Sequence, residues 1–91
     1  MSKVHIGEEV EKLLENGKRY LDASFIDDDI SATAFADYKE ASVVLAEKME
    51  ACASDIRGFV WALIGYMGLK PDVTAEEVVQ MFQIVRPEVE M

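Results

Sequence analysis

The fold is decided by residues 35–66, FADYKEASVVLAEKMEACASDIRGFVWALIGY, in which one residue in every three or four belongs to a single stripe. Alternating steps of three and four are typical of a helix that packs against other helices. The stripe consists of Phe35, Tyr38, Ser42, Leu45, Met49, Cys52, Ile56, Phe59, Leu63 and Tyr66. It predicts an α-helical packing element through the middle of the chain.

The predicted extent of this second helix is residues 31–67, because Gly68 and Pro71 provide a strong stop signal. A straight helix of that length would span ~55 Å, whereas a domain of this size has a radius of gyration near ~13 Å. Two solutions stay open. Either the helix breaks near residues 52–58, with Gly58 the favoured position and Cys52–Ser54 the next, or a second copy of the chain covers a straight helix.

The flanking segments predict two further helices. Residues 3–24 repeat apolar side chains at helical spacing, and Thr74 with Glu77 forms a capping box ahead of a helix at 75–85. The tail 88–91 is expected to be loose. The predicted fold is therefore all-α: a single domain over 1–91, built as an antiparallel hairpin of helices one and two plus a short C-terminal helix.

Charge is the second strong feature. The 91 residues include 18 Asp and Glu against 9 Lys and Arg, for a net charge of −9. Residues 27–55 alone contain eight acids and two bases. Direct nucleic-acid binding is not expected, since phosphates would be repelled, and a basic protein surface is the favoured partner. The longest apolar stretch, 56–69, is too short for the ~20 residues of a membrane span, and we expect a cytoplasmic protein.

No motif predicts a reaction. One cysteine and one histidine do not make a zinc site, and a calcium loop begun at Asp29 has Ala34 where the sharp turn needs glycine. The glycines lie within or at the end of a helix, which is unlike a phosphate-binding loop. We therefore expect no enzyme activity, no metal and no cofactor.

The first half of helix two carries the acidic face. An acidic helix can occupy a basic surface that otherwise binds nucleic acid, and the sharpest form of this hypothesis is a small inhibitor, such as a phage-encoded nucleic-acid mimic. The alternative is that these charges only keep an apolar protein in solution. The candidate partner-binding residues are Asp27, Asp28, Asp29, Asp37, Glu40, Glu47 and Glu50.

The second half, residues 56–69, is apolar nearly all round, which predicts burial on every side. One alternative is that the segment is simply the central core helix of a three-helix domain. Helices one and three offer little cover, however, so a homodimer is expected. A competing functional hypothesis follows: a structural, adaptor or assembly-chaperone protein that acts through this segment. Its candidate contact residues are Phe59, Trp61, Ile64, Tyr66 and Met67.

Overall fold

The computed structural model describes residues 3–23, 28–51 and 53–91. The described elements, in chain order, are β1 (Val4–His5), α1 (Gly7–Ala23), α2 (Asp28–Lys48), α3 (Ala53–Leu69), α4 (Ala75–Val85) and β2 (Val89–Glu90). They form a mostly helical compact domain with a Cα radius of gyration of 12.9 Å. Within the described residues, no helix combines the length and apolar character that crossing a membrane requires.

The predicted antiparallel hairpin is confirmed as the pairing of α1 with α2. Lys48 Nζ, at the end of α2, lies 3.1 Å from Glu9 Oε1 at the start of α1. Arg19 Nη1, near the end of α1, lies 3.3 Å from Asp37 Oδ2 in the middle of α2. The two pairs set the end of α2 beside the start of α1, and the later part of α1 beside the middle of α2, which is the arrangement of an antiparallel hairpin.

The central stripe faces the core, as its spacing predicts. Tyr38, Leu45 and Met49 of α2 are buried, and Ile56 and Leu63 of α3 continue the same interior. Cys52 lies outside the described residues. The stripe meets a second set of buried side chains from α1, α4 and the connecting segments, namely Ile6, Val10, Leu13, Leu14, Val73, Val78, Val79 and Phe82.

The prediction of three helices is wrong, because the long second helix is divided into α2 and α3. The chain leaves α2 through a Schellman turn: Ala51 N donates to Ala46 O at 2.9 Å, and Glu50 N donates to Glu47 O at 3.0 Å. Glu50 adopts the left-handed conformation that this turn demands, with φ of 53°. Arg86 Nη2 donates to Met49 O at 2.6 Å and so satisfies a carbonyl that the ended helix leaves open.

Gly58 is therefore not the break. It lies inside α3, and no described glycine has a positive φ. The turn sits a few residues earlier, at Met49–Ala51, where the position usually taken by glycine is taken by Glu50. A non-glycine residue at that position carries no breaker signal in the sequence, which explains why the composition of the segment pointed to the wrong residue.

The two ends of the described chain pair with each other, so the expectation of a loose tail is also wrong. Val4 and His5 of β1 align in parallel with Val89 and Glu90 of β2. Val4 N donates to Glu88 O and Ile6 N to Glu90 O, each at 2.8 Å. This two-stranded sheet fastens the start of α1 to the segment after α4.

Gly17 of α1 allows the α1–α2 hairpin to pack closely against α3. A Cβ built on Gly17 would lie 2.8 Å from Met67 Cε and 3.2 Å from Tyr38 Cε2. Both neighbours are fully buried core side chains, at 1% exposure. The absence of a side chain at Gly17 thus allows α1, α2 and α3 to meet closely at one point.

Candidate functional site

The outer face of α2 is the surface on which the predicted acidic residues meet. Helical periodicity places Asp29, Glu40 and Glu47 on the side of α2 opposite the buried Tyr38 and Leu45. All three acids are exposed. Asp27 lies outside the described residues, and Asp28 is the first residue of α2, with its side chain outside the description.

The acids of this region differ in whether their carboxylates form ion pairs. Asp37 is ion-paired with Arg19, whose Nη1 also donates to Asn16 Oδ1 at 3.0 Å. In the part of the chain that the structure describes, Glu40, Glu47 and Glu50 take part in no ion pair. Asp37 therefore joins α1 to α2, whereas the charges of Glu40 and Glu47 are directed to solvent.

Two valines between these glutamates were not among the predicted site residues. Val43 is 45% exposed and Val44 is 48% exposed, although both are large aliphatic side chains. They lie one turn from Glu40 and one turn from Glu47 on the same side of the helix. We call the set Glu40, Val43, Val44 and Glu47 the α2 patch. The signal was available in the sequence, because neither valine belongs to the central stripe.

The three exposed acids on the outer face of α2, Asp29, Glu40 and Glu47, do not form the closely spaced row that imitation of a phosphate backbone would require. Asp37 lies one turn from Glu40 but is engaged by Arg19. Along the helix axis, Asp29 and Glu40 are separated by ~16 Å and Glu40 and Glu47 by ~10 Å, at 1.5 Å per residue. Neighbours one turn apart would lie only ~5–6 Å from each other. The geometry suits two separate contacts with a basic surface, joined by the apolar valines.

Glu50 has a backbone role as well as a charge. Its left-handed conformation closes the Schellman turn, and its side chain is exposed at the junction of α2 and α3. Glu50 therefore does not lie on the helix face that Glu40 and Glu47 share.

A groove of about 310 Å³ runs beside the α2 patch, between α1 and α2. Its polar lining contains both signs of charge, with Glu9 and Lys12 from α1 facing Asp37 and Glu40 from α2. Mixed charge of this kind holds the hairpin together and gives no concentrated field for a small ion. Among the described residues, no three His, Cys, Asp or Glu side chains are grouped so that they could hold a metal.

The five apolar residues proposed for contact are distributed over three environments. Met67 is a core residue, and Phe59 packs on Phe82 of α4 with ring centroids 4.2 Å apart. Ile64 and Tyr66 are half-buried against the core. Trp61 is 44% exposed and packs on Phe35, at 5.2 Å between centroids. Within the single described chain, one face of α3 is therefore open.

The most strongly perturbed titratable group lies beneath these surfaces. Burial raises the pKa of the Tyr38 phenol, because the ionised form would lose its hydration. The hydroxyl donates to Val60 O at 2.6 Å, which ties α2 to α3. Tyr38 is thus a structural link between the two helices that carry the candidate surfaces.

No protein-family model matches the sequence, and searches of curated proteins and of solved structures found no match to the chain.

Proposed function

We propose that this protein is a non-enzymatic interaction module whose α2 patch docks on a basic surface of another protein. The observation that carries the proposal is the composition of that patch: two exposed glutamates without an ion-pair partner in the described structure flank two exposed valines. Charge alone would suit a solvated surface, and valines alone would suit chance exposure. Their combination on one face is typical of a contact surface.

The two kinds of side chain would act at different distances. Carboxylates raise the rate of encounter with a basic partner and select against acidic surfaces. The valines supply apolar area that gains free energy when it leaves water, at roughly 25 cal/mol per Å². A rim of charge around a small apolar centre is the usual anatomy of a transient protein interface.

The sharpest form of the proposal is inhibition of a nucleic-acid-binding protein. Such proteins carry dense positive charge where phosphates bind, and an acidic module of −9 that occupies this charge would exclude the nucleic acid. The spacing of Glu40 and Glu47 suits two separate contacts with that charge, so exclusion would come from covering the basic surface and not from imitating a phosphate backbone.

The test uses two variants with the same change in net charge. Glu40→Gln/Glu47→Gln removes the charges of the α2 patch, and Glu11→Gln/Glu15→Gln removes two exposed charges from α1. Each protein is immobilised, exposed to native lysate, and eluted with increasing salt before the captured proteins are identified. We expect wild type and the α1 variant to retain the same basic protein, and the α2 variant to lose it.

A third variant, Val43→Ser/Val44→Ser, separates a contact surface from a purely ionic one. We expect it to weaken capture while leaving the salt dependence unchanged, because the charges are intact. Equal retention of the basic protein by wild type and by Glu40→Gln/Glu47→Gln would contradict the proposal. Equal loss in the α1 and α2 variants would show that only net charge matters, which also contradicts it.

A further inference from the structure

A groove of about 330 Å³ lies between α2 and α3. Its floor consists of core side chains, since Tyr38, Ile56 and Val60 line it and are 1%, 7% and 4% exposed. Its apolar rim is formed by Val43 and Trp61, which are 45% and 44% exposed. We call this feature the α2–α3 groove. Concave sites of about 300–1,000 Å³ with mostly apolar walls are typical of small-molecule binding.

The charges around this groove are opposite in sign to the net charge of the protein. Lys39 and Arg57 line it, and none of its described lining residues is an acid, although the chain contains 18 acids against 9 bases. Neither base takes part in an ion pair within the described part of the chain, whereas Arg19, Lys48 and Lys70 each do. The groove therefore combines an apolar surface with two cations that have no carboxylate partner in the described structure.

One cation and the aromatic side chain of the groove are held by the same residue, Phe35. Lys39 Nζ lies 5.7 Å from the centroid of the Phe35 ring, which is a cation–π arrangement. The Trp61 ring packs on Phe35 with centroids 5.2 Å apart, and Tyr20 of α1 packs on Phe35 at 5.4 Å. Side chains held in this way lose less freedom when a ligand binds, so the groove is partly preorganised.

The hydroxyl groups of the groove restrict the kind of head group that a ligand can carry. Ser42 Oγ donates to Lys39 O at 2.6 Å, so only its acceptor lone pairs remain for a ligand. The Tyr38 hydroxyl is likewise committed to Val60 O at 2.6 Å. Apart from the indole N–H of Trp61, the side-chain donors left in the described lining are the two cations, and cations favour an anion.

We infer that the α2–α3 groove binds a small amphiphilic carboxylate, with its apolar chain between Val43 and Trp61 and its carboxylate beside Lys39 and Arg57. A guanidinium can hold a carboxylate through two parallel hydrogen bonds. The apolar chain covers the exposed parts of the valine and the indole, which gain free energy when they leave water.

An acidic segment of another protein fits this groove less well than a small molecule does. A stable protein interface buries about 800 Å² on each partner, which is far more surface than a groove of this size offers. The further acids of such a segment would also be repelled by the net charge of −9. A single carboxylate on an apolar chain carries the least repulsive charge that still satisfies both cations.

Trp61 makes a direct test possible, because it is the only tryptophan of the chain. Octanoate, octanol and octylammonium share one apolar chain and differ in the charge of the head group. Each is titrated at neutral pH, below the concentration at which it forms micelles, while the fluorescence of Trp61 is followed. We expect octanoate to move the emission to shorter wavelengths as the indole leaves water, and octylammonium to give no saturable shift.

The expected preference for octanoate over octanol is at least about tenfold in Kd. One hydrogen bond to a charged group contributes at least the ~1.4 kcal/mol of one decade. Equal affinity for the two ligands would mean that the head group is not recognised, which would overturn the inference. The absence of a saturable shift with octanoate would overturn it as well.

Two variants with the same change in net charge test the role of the cations. Lys39→Gln/Arg57→Gln removes them from the groove, and Lys12→Gln/Lys18→Gln removes two exposed charges from α1. We expect the groove variant to bind octanoate about tenfold more weakly, and so no better than octanol, while the α1 variant keeps the affinities of wild type. Circular dichroism verifies that both variants retain their helix content. Equal weakening in the two variants would mean that only net charge matters and would contradict the inference.

The groove and the α2 patch share Val43 but depend on different charges. Glu40→Gln/Glu47→Gln should bind octanoate at least as tightly as wild type, because it removes only negative charge near the site. Conversely, Lys39→Gln/Arg57→Gln leaves both glutamates of the α2 patch in place and should still capture the basic protein. The two proposals therefore fail independently.

Discussion

The outer faces of α2 and α3 lie on helices joined by one turn, yet they present different chemistry. The α2 patch combines carboxylates with aliphatic side chains. The outer face of α3 is a strip with no acid and two glycines, made of Gly58, Ala62, Gly65 and Leu69. Both faces stand opposite core stripes with similar helical spacing. The inner sides of the two helices are therefore alike, and the difference that bears on function lies in their outer sides.

The difference also separates the ranges over which the faces act. Charge on the α2 patch is felt across a Debye length, about 8 Å at physiological salt. The outer face of α3 presents small and aliphatic side chains at these positions and no charge that would act at such a range. Because the Schellman turn separates α2 from α3, the two kinds of surface lie on different helices of one short chain.

The largest expected effect on stability comes from a substitution on the inner, buried side of α3. Leu63→Ala should lower the free energy of unfolding by about 2–5 kcal/mol, because it leaves a cavity beneath both helices. The neighbouring Ala62→Ser, on the exposed strip, should change it by less than about 0.5 kcal/mol. Urea denaturation at low protein concentration measures both. Similar losses for the two variants would mean that the strip is covered within the monomer.

The second-largest expected effect is on the pH dependence of stability and concerns Tyr38, whose hydroxyl links α2 to α3. Its folded pKa is raised by burial, so the unfolded chain loses the phenolic proton first. Stability is then fully present below about pH 10 and falls above it, by as much as ~1.4 kcal/mol per pH unit. Denaturation curves between pH 8 and 11 measure this slope.

Tyr38→Phe is the control for that slope. It should cost about 1 kcal/mol at neutral pH through the lost hydrogen bond to Val60 O, and it should flatten the alkaline decline. The hydrogen bond to Glu77 raises the pKa of Lys70, which contributes in the same direction, so a residual decline is expected. An unchanged slope in Tyr38→Phe would show that Tyr38 does not stay neutral in the folded protein.

The smallest expected effect is the change in stability when exposed and buried glycines are replaced by alanine. Gly58→Ala and Gly65→Ala should each raise the monomer's stability by about 0.5–1 kcal/mol, since alanine favours the helix and has free space. Each kcal/mol corresponds to roughly 4–8 °C in Tm for a domain of this size. Gly17→Ala should show no such gain, because its Cβ would crowd Met67 and Tyr38. If Tm rose equally for all three variants, the expected difference between Gly17 and the two exposed glycines would be wrong.

The helical character and the core-facing stripe follow from spacing alone, because burial against neighbours imposes the period that the apolar residues display. The turn between α2 and α3 does not follow, since Glu50 replaces the glycine that would have announced it. The pairing of Val4 with Val89 joins positions far apart in the sequence and has no local signature.

The candidate surfaces were predicted in part. The exposure of Glu40 and Glu47 follows from their positions outside the stripe. The exposure of Val43 and Val44 does not follow from their apolar character, although their positions outside the stripe carried that signal. Likewise, the open side of α3 depends on where α1 and α4 end, which residue spacing within α3 does not contain.

The central claim is that the α2 patch binds a basic partner. The most direct test measures the Kd for the captured basic protein as a function of salt, for wild type, Glu40→Gln/Glu47→Gln and Glu11→Gln/Glu15→Gln. We expect the affinity to fall steeply with salt for wild type and the α1 variant, and the α2 variant to bind more weakly with a shallower salt dependence. Identical salt dependence and affinity for all three proteins would contradict it.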